Sequence, residues 1–171
     1  VAPTADIRFA LEACADFSPA KILIHDAARP FISHDVISRV IAALDDSSAV
    51  IPGLPIADTI KFAPTGVIEK TIDRSAMWFV QTPQGFTYAD IRDAHRRAVR
   101  ENQTSFTDDA AVAEFVNLPV HIITGDVMNK KLTTAADVAH ADRTVTESQY
   151  AERPDVRTGQ GIDFHVFEKG N

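Results

Sequence analysis

The sequence predicts an α/β fold, a sheet covered by helices on both faces. Two observations carry this. Segments of helical and strand periodicity alternate along most of the chain, in the order helix, strand, helix, strand, hairpin, strand, helix, helix, strand, helix. The strand Lys21-Ile22-Leu23-Ile24-His25 is a continuous apolar run rich in β-branched residues, the pattern of a buried strand. No internal repeat or low-complexity tract interrupts the alternation.

Each element has a local reason. Ile7, Ala10, Leu11 and Cys14 fall at helical spacing and predict a helix over 5–15. After strand 21–25, Asp26-Ala27-Ala28-Arg29-Pro30 forms a loop, and Ser33 caps a helix with Ile32 and Ile37 as its hydrophobic staple. Val36, Ile37, Val40, Ile41 and Leu44 are the stripe of that helix. Ala49-Val50-Ile51 is the next strand. Thr59 to Phe62, the turn Pro64-Thr65-Gly66, and Val67 to Ile72 then read as a hairpin. That hairpin has too few apolar residues to anchor itself in a core, so it is expected to lean on another surface, such as a second subunit. Met77 to Gln81 is a strand, which Gln81-Thr82-Pro83-Gln84-Gly85 closes as a turn.

Thr87-Tyr88-Ala89-Asp90 has capping-box spacing and opens a helix to about Glu101, with Phe86 and Ile91 as staple. Thr107 caps a short helix beginning Asp108-Asp109, Val120 to Ile123 is a strand, and Thr134 with Asp137 opens a helix to roughly Ser148. Residues 149–156 read as a linker, and 157–171 as a separate segment with its own glycines.

Composition narrows the function classes. A formal net charge of -7 over 171 residues argues against nucleic acid or an anionic membrane as the main partner. Apolar runs are too short to span a bilayer, and Val1 to Arg8 show no secretory pattern. The single cysteine, Cys14, excludes an internal disulfide framework and fits a reducing cytosol, so a cytoplasmic location is expected. The chain opens on Val1 rather than Met and closes at Gly170-Asn171 just after what reads as a new strand, so both ends are expected to be cut.

Several segments can carry chemistry. Asp26 and Arg29 follow a strand, where α/β sheets bind ligands. There an Asp holds a metal or hydroxyl and an Arg fork suits phosphate, or the two form a loop salt bridge. Asp58, Thr59 and Lys61 open the hairpin, and Asp73-Arg74 mark its return. These are polar groups aimed at a ligand or solvated charges on an arm. Thr82 bonds a phosphate or the backbone. Thr107 marks a helix N-terminus that offers N–H groups to an anion, or is an ordinary cap. Lys131 and Thr133, in a basic patch before a helix, reach a phosphate or water. Asp163-x-His165 places two side chains on one face of an extended segment, which suits two ligands of a catalytic zinc. His25 reads as a satisfied core group, and His34, His95, His121 and His140 fall on predicted surfaces.

Taken in order, His25-Asp26-Ala27-Ala28-Arg29-Pro30, Asp58-Thr59-Ile60-Lys61, Asp73-Arg74-x-x-x-Trp78, Thr82-Pro83-Gln84, Thr107-Asp108-Asp109-Ala110 and Lys131-x-Thr133 resemble the 2-C-methyl-D-erythritol 4-phosphate cytidylyltransferases, over residues 5 to 148. The segment Arg157 to Phe167 resembles the first strand of the 2-C-methyl-D-erythritol 2,4-cyclodiphosphate synthases, with Gln160 where His is common. Together they resemble a bifunctional fusion of the two enzymes.

The resemblance implies a Rossmann-like nucleotidyltransferase sheet with a protruding hairpin arm. It implies a cytidylyltransferase domain over 1–148 that uses CTP and Mg²⁺, and a cyclase domain starting at 157 that uses Zn²⁺ or another divalent metal. Arg74 and Lys131 would position the substrate phosphate, with Thr107 on the same substrate. Asp26, Arg29, Thr59, Thr82 and Thr133 would complete the site, and Asp163 and His165 would bind the cyclase metal. It further implies a homodimer exchanging arms over about 55–78, so that Arg74 enters the neighbour's site. The family's early strands and glycine-rich CTP cradle are not found in this sequence, so the chain by itself is expected to be inactive. Competing readings are a cytidylyltransferase for another polyol phosphate such as ribitol 5-phosphate, a non-catalytic dimerisation module, and a domain in which Asp26 and Lys131 never converge.

Overall fold

A computed structural model of the chain describes residues 3–103 and 105–152. The chain divides after Lys131 into two compact units. The first contains helix α1 (Pro3–Ala13), strand β1 (Lys21–Ile24), helix α2 (His34–Ala43), strand β2 (Ala49–Pro55), the hairpin strands β3 (Ile60–Phe62) and β4 (Lys70–Ile72), strands β5 (Trp78–Val80) and β6 (Gln84–Thr87), helices α3 (Tyr88–Arg100) and α4 (Asp109–Phe115), and strand β7 (His121–Thr124). The second contains helix α5 (Ala135–Glu152), which runs past the end expected near Ser148. Thr134 opens it as the sequence predicts: its N–H donates to Asp137 Oδ2 at 3.0 Å, and the Asp137 N–H donates back to Thr134 Oγ1 at 3.1 Å.

The main sheet is mixed. β2 is its axis, with β7 parallel on one side and β5 and β6 antiparallel on the other; β1 lies outside β6. Strand β6 was not expected, because Gln84-Gly85 between Pro83 and Phe86 carries the composition of a turn. Packing overrides that composition. A Cβ on Gly85 would lie 2.5 Å from Val40 Cγ1 and 3.0 Å from Leu44 Cδ1, so the glycine lets α2 lie directly on the strand.

Both faces of this sheet are covered, and the alternation of side chains shows it. On β2, Ala49 packs with Leu11, Phe86, Ile91 and Val112 beneath α1, α3 and α4. Its neighbour Val50 packs with Val36, Val40 and Leu44 of α2. On β1, Ile22 and Ile24 join the first cluster and Leu23 the second, which is why that strand is apolar without alternation. Its residues are only half-buried, because among the described strands β1 pairs with β6 alone.

Caps differ from expectation in two places. Ser33 does cap α2, accepting the Val36 N–H. The cap of α4 is Asp108 rather than Thr107, with Oδ1 accepting the Ala111 N–H at 2.9 Å. Thr87 stands at the N-cap of α3 without a side-chain hydrogen bond. The hairpin forms a two-stranded sheet of its own, turning at Gly66 with φ +84°. Its second strand starts at Lys70 instead of Val67. Val67 and Ile68 are left in the connection, 69% and 62% exposed.

Helix α1 is tied to α3 by a two-pronged ion pair, Arg96 Nε and Nη2 donating to Glu12 Oε1 and Oε2 at 2.7 and 2.6 Å. The guanidinium holds Glu12 below its ordinary 4.5. A carboxylate with a depressed folded value contributes stability above its unfolded value and loses it as pH falls through the folded one. Arg96→Ala is expected to move the Glu12 carboxyl titration, followed by NMR, back up toward 4.5. Gly85→Ala is expected to destabilise the chain by about 1–3 kcal/mol in urea unfolding, the cost of overpacking against Val40 and Leu44.

Candidate active site

A cleft of about 520 Å³ opens at the end of β1, where β5 gives way to β6. The strand line breaks there: between the pairs Val50↔Gly85 and Gly53↔Val80, the four residues 81–84 lie against only two on β2. The Thr82–Pro83 peptide within the break is cis. Asp26, Arg29, Thr82, Thr107 and Lys131, five of the residues singled out from sequence, line this cleft.

Asp26 is the junction. Its N–H donates to Thr82 Oγ1 at 3.0 Å, and its Oδ2 holds Lys131 Nζ at 3.0 Å. Asp26 and Lys131 therefore converge across most of the first unit. Arg29 Nε lies 3.4 Å from the same oxygen, an ion pair without a hydrogen bond's alignment. The other Arg29 donors go to backbone: Nη1 to the Asn129 carbonyl at 2.9 Å and Nη2 to that of Val80 at 3.4 Å. Arg29 thus binds two loops together, while Lys131, about half exposed, carries the charge that an anion can reach.

His25 completes the floor, exposed to the cleft rather than in the core where the sequence put it. Its Nδ1 lies 2.9 Å from Thr82 Oγ1 and its Nε2 lies 3.1 Å from the Arg29 carbonyl. A neutral ring satisfies every group: Nε2–H donates to the carbonyl, and the Thr82 hydroxyl, already accepting from Asp26, donates to Nδ1.

The opposite wall is the start of α4. Gln84 ties it to the strand, donating from Nε2 to Asp108 Oδ2 at 2.8 Å and accepting the Ala110 N–H at 2.9 Å. Asp109 Oδ1 lies 2.9 Å from His95 Nε2, and both residues are buried. His95 is therefore not on the surface, as expected from sequence, but on the core face of α3. Its spacing with Tyr88, Ile91 and Ala98 on the apolar stripe was the available signal. Gln81 and Asn129, also buried, were not singled out from sequence. Their position beside Thr82 and Lys131 was the only cue.

Three predicted site residues lie elsewhere. Thr59 and Arg74 are exposed on the hairpin and its return and do not line the cleft. Asp73 accepts the Ser75 N–H at 2.9 Å, which shapes the turn at Arg74 and holds its carboxyl below the ordinary 3.8. Thr133 belongs to the second unit, where its hydroxyl bonds Asp137 at 3.3 Å. Asp163 and His165, with the cyclase-like segment 157–171, lie outside the described residues. Among the described residues no three His, Cys, Asp or Glu side chains gather to hold a metal, and no helix is long and apolar enough to cross a membrane.

Residues 4–147 match the family model of 2-C-methyl-D-erythritol 4-phosphate cytidylyltransferase. The chain is 46% identical over 165 residues to the bifunctional enzyme IspD/IspF of Brucella abortus, covering 96% of this chain and 42% of that protein. It is 43% identical over 166 residues to the bifunctional enzyme of Mesorhizobium japonicum, covering 96% of this chain and 40% of the relative. The chain thus spans about two fifths of the length of these relatives. Its structure is similar to the cytidylyltransferase of Thermus thermophilus, with a TM-score of 0.76 and 34% identity over 84% of this chain and 69% of that one. The bifunctional IspDF of Campylobacter jejuni, at 24% identity and a TM-score of 0.67, shares the fold over 80% of this chain and 33% of that one. The sheet is the Rossmann-like nucleotidyltransferase sheet expected from sequence.

His95→Leu is expected to leave the buried Asp109 carboxylate without its partner and to cost about 1–3 kcal/mol in urea unfolding. An unchanged midpoint would show that the pair contributes nothing.

Proposed function

The chain belongs to the 2-C-methyl-D-erythritol 4-phosphate cytidylyltransferase family, and we propose that its cleft is the polyol-phosphate side of a site that transfers CMP from CTP to that substrate. The observation that carries this is the meeting of Lys131 and Asp26, at 3.0 Å, in a cleft that also holds Thr82 and Thr107. A cationic Lys beside a hydroxyl-binding Asp is the pairing a phosphorylated polyol needs.

In this reading a phosphate oxygen of the substrate attacks the α-phosphorus of CTP. The new P–O bond forms as the bond to the bridging α–β oxygen breaks, and pyrophosphate leaves with its electron pair. No proton need move, so the protein's part is positioning and charge neutralisation. Lys131 leaves Asp26 for the substrate phosphate. Asp26, released, accepts from substrate hydroxyls, and Thr107 and Thr82 bound the same pocket. Arg29 keeps the loops in register. Of the three carboxylates lining the cleft, Asp108 and Asp109 are engaged by Gln84 and His95, so Asp26 is the residue that would hold Mg²⁺, whose chemistry would be to neutralise charge on the phosphates.

The exposed apolar residues of the hairpin, Phe62, Val67 and Ile68, support a homodimer in which arms over about 55–78 exchange. Arg74 and Thr59 would then serve the neighbour's site. We further propose a cytidylyltransferase domain over 1–148, a linker over 149–156 and the start of a cyclodiphosphate synthase at 157, where Asp163 and His165 suit Zn²⁺. A cytoplasmic enzyme of isoprenoid biosynthesis follows from the same reading.

In the full-length protein, Lys131→Ala and Arg74→Ala are each expected to lower kcat/KM for the polyol phosphate by about 10- to 150-fold, the loss of one charge-assisted contact. Wild-type turnover in Lys131→Ala would overturn the site. Exchange of the arm is tested by mixing the two variants as dimers. Arm exchange gives each mixed dimer one intact site and returns about a quarter of the wild-type rate. Without exchange both sites stay broken and nothing returns. Assays with ribitol 5-phosphate in place of the methylerythritol substrate should show little turnover.

A further inference from the structure

Gln81 is almost completely buried, 5% exposed, at the point where β5 breaks. Both donors and the oxygen of its amide are engaged by one loop. Nε2 donates to the Asp126 carbonyl at 2.8 Å and to the Asn129 carbonyl at 3.2 Å, and Oε1 accepts the Asp126 N–H at 3.0 Å. The loop is closed around this amide: a Cβ on Gly125 would lie 2.3 Å from Gln81 Oε1. Asn129, fully buried, holds the same loop from the other side by donating from Nδ2 to the Thr82 carbonyl at 2.7 Å. Lys131 lies two residues further along. A 5% exposed side chain with both donors and its oxygen already engaged acts on chemistry chiefly through what it holds.

We propose that Gln81 is a positioning residue for Lys131. By fixing the backbone of Asp126 to Asn129 against the strand break, it sets where the Lys131 ammonium meets the substrate phosphate. This rests on the reading of Lys131 given above. Position matters here because a transfer that depends on alignment loses rate when a charge shifts by about 1 Å. The amide is specific to the task. A carboxylate of the same shape still accepts the Asp126 N–H, but it faces two carbonyl oxygens where Nε2 had donated to them.

The test uses the full-length protein and a double-mutant cycle between Gln81→Glu and Lys131→Ala. Gln81→Glu is expected to raise KM for the polyol phosphate tenfold or more, with KM for CTP changed less than twofold. In the Lys131→Ala background the same substitution should add less than a twofold effect, because the group it acts through is gone. Effects that multiply in the double variant, or a Gln81→Glu enzyme whose two KM values are unchanged or rise together, would overturn the proposal and leave the role of Lys131 standing. A Lys131→Ala enzyme with wild-type kinetics would instead overturn that role, and the proposal with it. Should Gln81→Glu fail to fold, Gly125→Ala asks the same question from the loop side, since its Cβ displaces the Gln81 amide. It must show the same selective rise in KM and the same loss of effect without Lys131.

Discussion

The break in the strand line at 81–84 imposes a constraint that reaches every wall of the cleft. Setting four residues against two bulges the chain at 81–84, although the Gln81 N–H still donates to the Pro52 carbonyl and Gln84 still pairs with Ile24 of β1. Both side-chain amides are buried, 5% and 2% exposed, and a buried amide without partners costs about 1–3 kcal/mol. Each therefore fixes whatever satisfies it. Gln81 faces the loop that ends at Lys131, and Gln84 faces the first turn of α4. Thr82, between them, takes the Asp26 N–H. Three loops distant in sequence are thereby held at one place by four consecutive residues, and the cleft lies among them.

The charges follow the same plan. Asp26 Oδ2 lies between Lys131 and Arg29, so the resting cleft holds its positive charge in a paired and ordered form. In the proposed site an incoming phosphate would not have to gather cations from solvent; it would draw one lysine, already in place and half exposed, away from a carboxylate. Asp109 shows the complementary solution on the far wall. Its carboxylate is turned toward His95 in the core, which keeps that charge from opposing an anionic ligand.

How much of this was legible in the sequence depends on the kind of signal. Helix α2 was read correctly because burial writes itself as spacing, α3 was found from its opening sequence, and of β2 only the apolar run Ala49 to Ile51 was read, the strand continuing to Pro55. Ser33 and Thr134 were read as caps because their chemistry is local. β6 was missed because its glycine and glutamine answer to α2 and α4, which are remote in sequence. Thr107 was taken for the cap that Asp108 provides, since either side chain can do it and only backbone geometry decides. Of the site, the exposed charged residues stood out as exposed charged residues do. Gln81, Asn129 and His95 did not, because a buried polar residue declares itself only through its partners. His25 was misplaced for a related reason: a histidine closing an apolar strand looks buried until the loop beyond it is known to open a cleft.

The two cations at Asp26 show why their identities are not interchangeable. Arg29 must satisfy two backbone carbonyls and face a carboxylate from one rigid plane, which takes several donors in fixed directions. A lysine there would offer one point of charge and could not reach both carbonyls from one plane. Lys131 has the opposite task. It holds Asp26 at rest and, in the proposed site, would take a phosphate when one arrives, which suits a compact charge on a flexible stem. An arginine at 131 would tend to grip the carboxylate with two parallel bonds and release it less readily. The arrangement therefore places rigidity where the loops need register and mobility where the ligand needs access. The buried amides of Gln81 and Asn129 keep the second from undoing the first, by tying the backbone of Asp126 to Asn129, two residues before Lys131, to the strand break.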